Sequence, residues 1–135
     1  MPSLYDTLKT LARQTATALQ LPLGWEGEPF VVPAEPHLRG KVVVEQTKAI
    51  GLGVNGLMGT SGFLEFRVVV PAGQDALASG LADQIAGRFP LGSALNFDNG
   101  GGIFMTPGRT APAGDGKRVT ALVNITFDVS HAKTG

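Results

Sequence analysis

Apolar and polar residues alternate without interruption near the end of the chain. From Arg118 to Ser130, Val119, Ala121, Val123, Ile125, Phe127 and Val129 are interleaved with Thr120, Leu122, Asn124, Thr126 and Asp128. A period of two with β-branched residues on both faces specifies a strand. At about 3.3 Å per residue the run spans roughly 40 Å, well beyond an average strand. One face is apolar throughout and must be covered.

Upstream, the same reading finds two helices and further strands. Ser3 stands three residues before Asp6, so its hydroxyl caps an early helical N–H while the carboxylate meets the positive end of the dipole. Leu4, Leu8, Leu11, Ala12, Thr15, Ala18 and Leu19 then form one stripe, and Pro22 and Gly24 end the helix. Prolines at 29, 33 and 36 make Trp25–Arg39 an irregular arm with a short extended segment at Phe30–Val32, and Trp25 and Phe30 read as core anchors. Leu38–Thr47 and Phe63–Val70 read as strands. Asp75 begins a second helix that stacks Leu77, Leu81, Ile85 and Phe89 beside Ala78 and Ala82, and Pro90 stops it. Within it, Gly80 and Gly87 either weaken the helix or permit close approach to the sheet.

The segment Leu91–Lys117 is rich in glycine and proline, with one apolar island at Ile103-Phe104-Met105 that reads as a short strand. The expected order is helix, short strand, two strands, helix, two strands. The fold class is α+β: one domain over 1–135, with a mixed or mainly antiparallel sheet, two helices packed on one face, and long loops at about 48–62 and 91–117. Loops of that length in a compact domain are usually functional or disordered. The first of them is expected to order on docking, so that the free protein is monomeric.

Composition narrows the function. The 135 residues suit one core. A formal net charge of zero argues against affinity built on phosphate neutralisation, and so against specific nucleic-acid binding. The absence of cysteine removes disulfides, thiolate metal sites and cysteine nucleophiles together. No apolar run approaches the roughly 20 residues of a spanning helix, and no secretion signal is expected at the start.

Motifs of catalysis fail on context. Gly51-Leu52-Gly53-Val54-Asn55-Gly56 has the letters of a dinucleotide loop, but a strand follows where the helix that receives the pyrophosphate is required. A nucleotide- or small-ligand-binding module using this loop is the alternative reading. Gly114-Asp115-Gly116-Lys117 precedes a strand and reads as a polar turn. Asp98-Asn99-Gly100-Gly101-Gly102 lacks the later carboxylates of a calcium loop and reads as a tight turn. His37 and His131 have no second ligand at helical spacing, and no serine has a nucleophile context. No catalytic, cofactor or metal residue is assigned, and no enzyme activity is expected.

Two successions of residues carry a resemblance. The first is Gly24-Trp25-Glu26 followed by Phe30, Pro33 and Leu38-Arg39. The second is Phe63–Val70, Pro71-Ala72-Gly73, Ala78, Leu81-Ala82-Asp83 and Phe89-Pro90. In this order they resemble the lambda-type phage tail terminators, a tail-completion family that includes prophage minor tail proteins. The resemblance implies a structural protein of the virion tail, made in the bacterial host cytoplasm. It implies a homo-oligomeric ring, usually a hexamer, that stops growth of the tail tube and offers a surface for the head-completion connector. Tube and connector proteins are the implied partners, with another minor tail or adaptor role as the neighbouring reading. Ring closure needs a head-to-tail interface that closes by rotation. Candidate interface residues are Trp25, Phe30, Leu38, Arg39, Lys48, Arg109, Lys117 and Arg118.

Overall fold

The computed structural model describes residues 2–49 and 57–132. Helix α1 (Leu4–Leu19) starts where expected, with the Asp6 N–H donating to Ser3 Oγ at 3.1 Å. It ends on Gln20, held in the left-handed region at φ 58°. Its buried face is Leu8, Ala12, Thr15 and Ala16, while Ala18 points outward. Helix α2 (Asp75–Gly87) buries Ala78, Leu81, Ala82 and Ile85. Its cap position falls on Gln74 rather than Asp75, and Leu77 is exposed.

The strands are β1 (Leu23–Trp25), β2 (His37–Ala49), β3 (Leu57–Pro71), β4 (Ala94–Phe97), β5 (Gly100–Phe104), β6 (Gly108–Arg109), β7 (Ala113–Gly114) and β8 (Arg118–Ala132). They form one sheet in the order β1-β2-β3-β8-β5-β4, with β6 and β7 also pairing β8. Only β1 and β2 pair in parallel; the remaining pairings are antiparallel.

The strands depart from expectation in three places. The short strand near the arm is Leu23–Trp25, not Phe30–Val32, because the prolines leave the later segment few donors for a ladder. Lys48–Ala49 and Leu57–Gly62 lie in β2 and β3 rather than in a long loop, since cross-strand pairing overrides their glycine-rich composition. Gly51–Gly56 lies outside the described residues. Finally, 91–117 holds four short strands, three beyond the one expected; β4 and β5 are joined by a tight turn, and β5, β6 and β7 follow one another along β8. That turn is Asp98-Asn99, where Asn99 adopts φ 65° and lets β4 fold back on β5.

Both helices cover the same face of the sheet. Leu64, Phe66, Val68 and Val70 of β3 and the odd-numbered residues Val119 to Val129 of β8 point into that layer and are all buried. Leu38 from β2, Leu95 and Phe97 from β4, and Phe104 from β5 complete it. Phe89 bridges α2 to the sheet, with its ring centroid 5.2 Å from that of Phe104 and 6.1 Å from that of Phe66.

Replacing the fully buried Phe66 with Ala should destabilise the fold by about 3–5 kcal/mol in urea unfolding, the usual range for emptying an aromatic core site. A side chain at Gly80 would meet nothing within 4 Å, so this glycine serves no close approach. Gly80→Ala should therefore raise stability by about 1 kcal/mol in the same assay.

Candidate interface surface

The face of the sheet opposite the helices is partly open. Across it, His37, Arg39, Lys41 and Val43 of β2 stand beside Val69, Arg67, Glu65 and Phe63 of β3, and then beside Thr120, Leu122, Asn124 and Thr126 of β8. At the end nearest the arm this face sinks into a cleft of about 430 Å³.

The arm builds one wall of the cleft. The Phe30 ring fits over Gly24, where an added Cβ would overlap it, and its centroid lies 5.4 Å from the Arg39 guanidinium carbon. Such a cation–π contact fixes the arginine while leaving its N–H groups available. His37 is buried beneath the arm, with Nδ1 3.1 Å from the Glu35 carbonyl oxygen and its ring centroid 5.7 Å from that of Phe30.

Arg118 and Asp115 border the cleft from the start of β8. The Asp115 carboxylate accepts the N–H groups of Lys117 and Arg118, each at 2.9 Å, which closes the polar turn expected at 114–117. These two backbone donors, foremost that of Lys117, hold the Asp115 carboxyl below the ordinary carboxylate range. On the cleft floor, Lys41 Nζ lies 3.4 Å from Glu65 Oε2.

The eight sequence candidates fall into distinct places. Arg39 and Arg118 line this cleft together, and Phe30 supports Arg39. Lys117 is exposed beside it. Trp25 and Leu38 are core residues, and the Trp25 indole N–H donates to Tyr5 Oη at 2.7 Å. Arg109 is remote, paired on the helical side with Asp83 of α2. Lys48 lines a second, polar cleft of about 480 Å³ with Thr60, Ser61, Asp128 and Ser130. Residues that sequence reasoning missed are Lys41, Glu65 and Arg67. Their signal was present, because in both strands they occupy the polar phase of an alternation whose apolar phase is core.

Among the described residues no group of three or more metal-ligating side chains converges, and no helix is long and apolar enough to cross a membrane.

Besides the outer side of the three-residue β1, two edges of the sheet lack a neighbouring strand among the described residues. β1 covers β2 only from Leu38 to Gly40, so from Lys41 onward the outer side of β2 carries no strand among the described residues. There the Val42 N–H turns outward and is met by Glu26 Oε1 at 3.2 Å. At the other end, β4 has no strand on its outer side among the described residues.

Comparison with known proteins decides the family. A family model described as phage tail terminator protein matches residues 3–127. The chain belongs to the phage tail terminator family. It is accordingly a structural component of a phage tail, in a family of non-enzymatic proteins that assemble with other tail and head proteins. The terminator fold is also seen in a solved structure whose name states no function. That structure aligns at a TM-score of 0.66 and 19% identity, covering 96% of this chain and 96% of the other. This likeness is one of fold alone. Among curated proteins nothing matches.

Because the Asp115 pKa is lowered on folding, this group's contribution to stability is complete above the unfolded-chain value and disappears as pH falls through the lower folded value. A carboxyl NMR titration should find Asp115 protonating at lower pH in the folded protein than in urea. Asp115→Asn should shallow the acid side of the stability profile.

Proposed function

We propose that this terminator closes into a ring of its own copies, six in the reading the family resemblance implies, which caps the tail tube and presents a surface to the head connector. One observation carries the proposal: the outer edges of β2 and β4, which lack a neighbouring strand among the described residues, lie at the same height on the sheet and run in the same direction. Successive antiparallel pairings from β2 through β3, β8 and β5 to β4 give the two edge strands a common direction. Gln46, Ser61, Asp128, Ile103 and Ala94 form one row across the sheet, and Ala49, Met58, His131, Gly100 and Phe97 form another.

A rotation about an axis roughly along the strands therefore brings β4 of one copy against the open part of β2 of the next, as a parallel pair. This is a heterologous contact, the kind that closes a ring when the rotation divides a full turn. Exposed Val44 on β2, at 54% of its full accessibility, and half-exposed Ile103 beside β4 add apolar area to such a seam. The function is mechanical, with no reaction assigned to any residue; tube and connector proteins are the partners.

Light scattering of the pure protein at rising concentration, followed by electron microscopy with assembled tubes, tests the reading. Rings at tube ends are expected. Since the Val42 N–H faces outward, the Val44 N–H two residues on does so too, and Val44→Pro removes an edge donor without touching the ladder to β3. This variant should melt close to the parent yet fail to form rings. Rings formed equally well by Val44→Pro would refute the edge seam.

A further inference from the structure

Arg39 and Arg67 stand directly opposite each other on neighbouring strands, on the same open face of the sheet. Like charges in this position repel and weaken a sheet. Nothing in the fold relieves them: among the described residues neither guanidinium has a carboxylate within ion-pair distance. The three acids that border the cleft are already engaged, Glu65 by Lys41, Asp115 by two backbone N–H groups, and Glu26 by the Val42 N–H. Arg118, at the cleft's mouth, is a third guanidinium without an acidic partner among the described residues.

We infer that this cleft is a recognition site for carboxylate side chains, and that its occupant is an acidic segment of a partner protein. The guanidinium fork matches a carboxylate through two parallel hydrogen bonds, and two forks set on adjacent strands hold one acid between them. Phe30 orients Arg39 in advance, which lowers the ordering entropy lost on binding. An acidic protein segment fits better than a nucleic acid. Glu26, Glu65 and Asp115 interrupt the basic surface and would repel a continuous run of phosphates, whereas a protein chain can present isolated carboxylates between them. The site stands apart from the edge seam, since it opens on the sheet face at the arm end. Ring assembly and acid recognition are separately testable.

The experiment measures fluorescence anisotropy of a labelled glycine-serine peptide carrying two glutamates four residues apart, titrated with the protein at low salt, with an oligothymidine as competitor. Saturable binding is expected, weakened about tenfold by Arg39→Gln or Arg67→Gln, as loss of one charge-assisted contact implies. It should be unaffected by Arg88→Gln, which removes an exposed charge at the end of α2. Arg67→Glu, which gives Arg39 a cross-strand partner, should abolish binding while melting no lower than the parent. Three results would overturn the inference: no saturable binding by the parent, equal weakening by Arg88→Gln, or tighter binding of the oligothymidine with the same dependence on Arg39 and Arg67. Ring formation that persists in Arg67→Glu would leave the edge seam intact and isolate the cleft's role.

Discussion

The pairing of β3 with β8 is the constraint on which the rest of this molecule depends. Fifteen successive residue pairs lock the two strands in one register, from Leu57 opposite Ala132 to Pro71 opposite Arg118. Side chains in a sheet alternate with a period of two, so this single register decides which residues of both strands enter the core. Phe66 beside Val123 and Leu64 beside Ile125 are inward; Arg67 beside Leu122 and Glu65 beside Asn124 are outward. A slip by one residue would bury Arg67 and Glu65 under α2 and expose the aromatic layer. The helices are clients of that decision, docking on whichever face is apolar.

From this asymmetry follows the division of labour across the sheet. One face is fully occupied by stability, with buried residues contributed by both helices and six of the eight strands. The other face and the outer edges of β2 and β4 are left partly open among the described residues. In the proposed ring a terminator would meet copies of itself and unlike tail proteins at once, and a sheet with one committed face would offer independent surfaces for each: backbone at the edges, side chains on the open face. The proline-rich arm adds shape to the open face without joining the sheet, because its prolines cannot supply ladder donors.

Much of this was legible in the residues, and what was not has definite physical causes. The long final strand, the Ser3 cap and the helix stripes were readable because local periodicity and capping chemistry are sufficient for them. The extensions of β2 and β3 through Lys48–Ala49 and Leu57–Gly62 were not, because glycine and small polar residues carry no strand preference of their own and become strand only when a partner supplies the ladder. The same holds for β5, where Gly102 lies so close to β8 that a Cβ would overlap the Asp128 carbonyl, a closeness no propensity scale contains. Among the interface candidates, aromatic and aliphatic identity did not distinguish Trp25 and Leu38, which are core, from Phe30, which props up an arginine. Lys41, Glu65 and Arg67 were overlooked because each alone is an ordinary surface charge; only the register of three strands makes them neighbours.

The irregularity between Val44 and Gln46 has a reach greater than its size. The β2–β3 register shifts there, so Gln46 faces Ser61 and Thr47 faces Thr60. Before the shift the odd-numbered residues of β2 share the open face; after it the even-numbered ones do. Lys48 thereby joins Asp128 around the second cleft, and Thr47 turns to the helical side, where Thr60 Oγ1 lies 3.2 Å from its hydroxyl and 3.1 Å from His131 Nε2. A single unmatched residue, Glu45, acts as a phase inverter for everything distal to it. Deleting that one position would remove the irregularity and leave Gln46 opposite Ser61 and Thr47 opposite Thr60 in an unbroken ladder, with every distal side chain on its present face, and almost any replacement of Glu45 would leave the phase unchanged as well. The pairing with β3, rather than the identity of Glu45, is what decides which face each distal side chain meets.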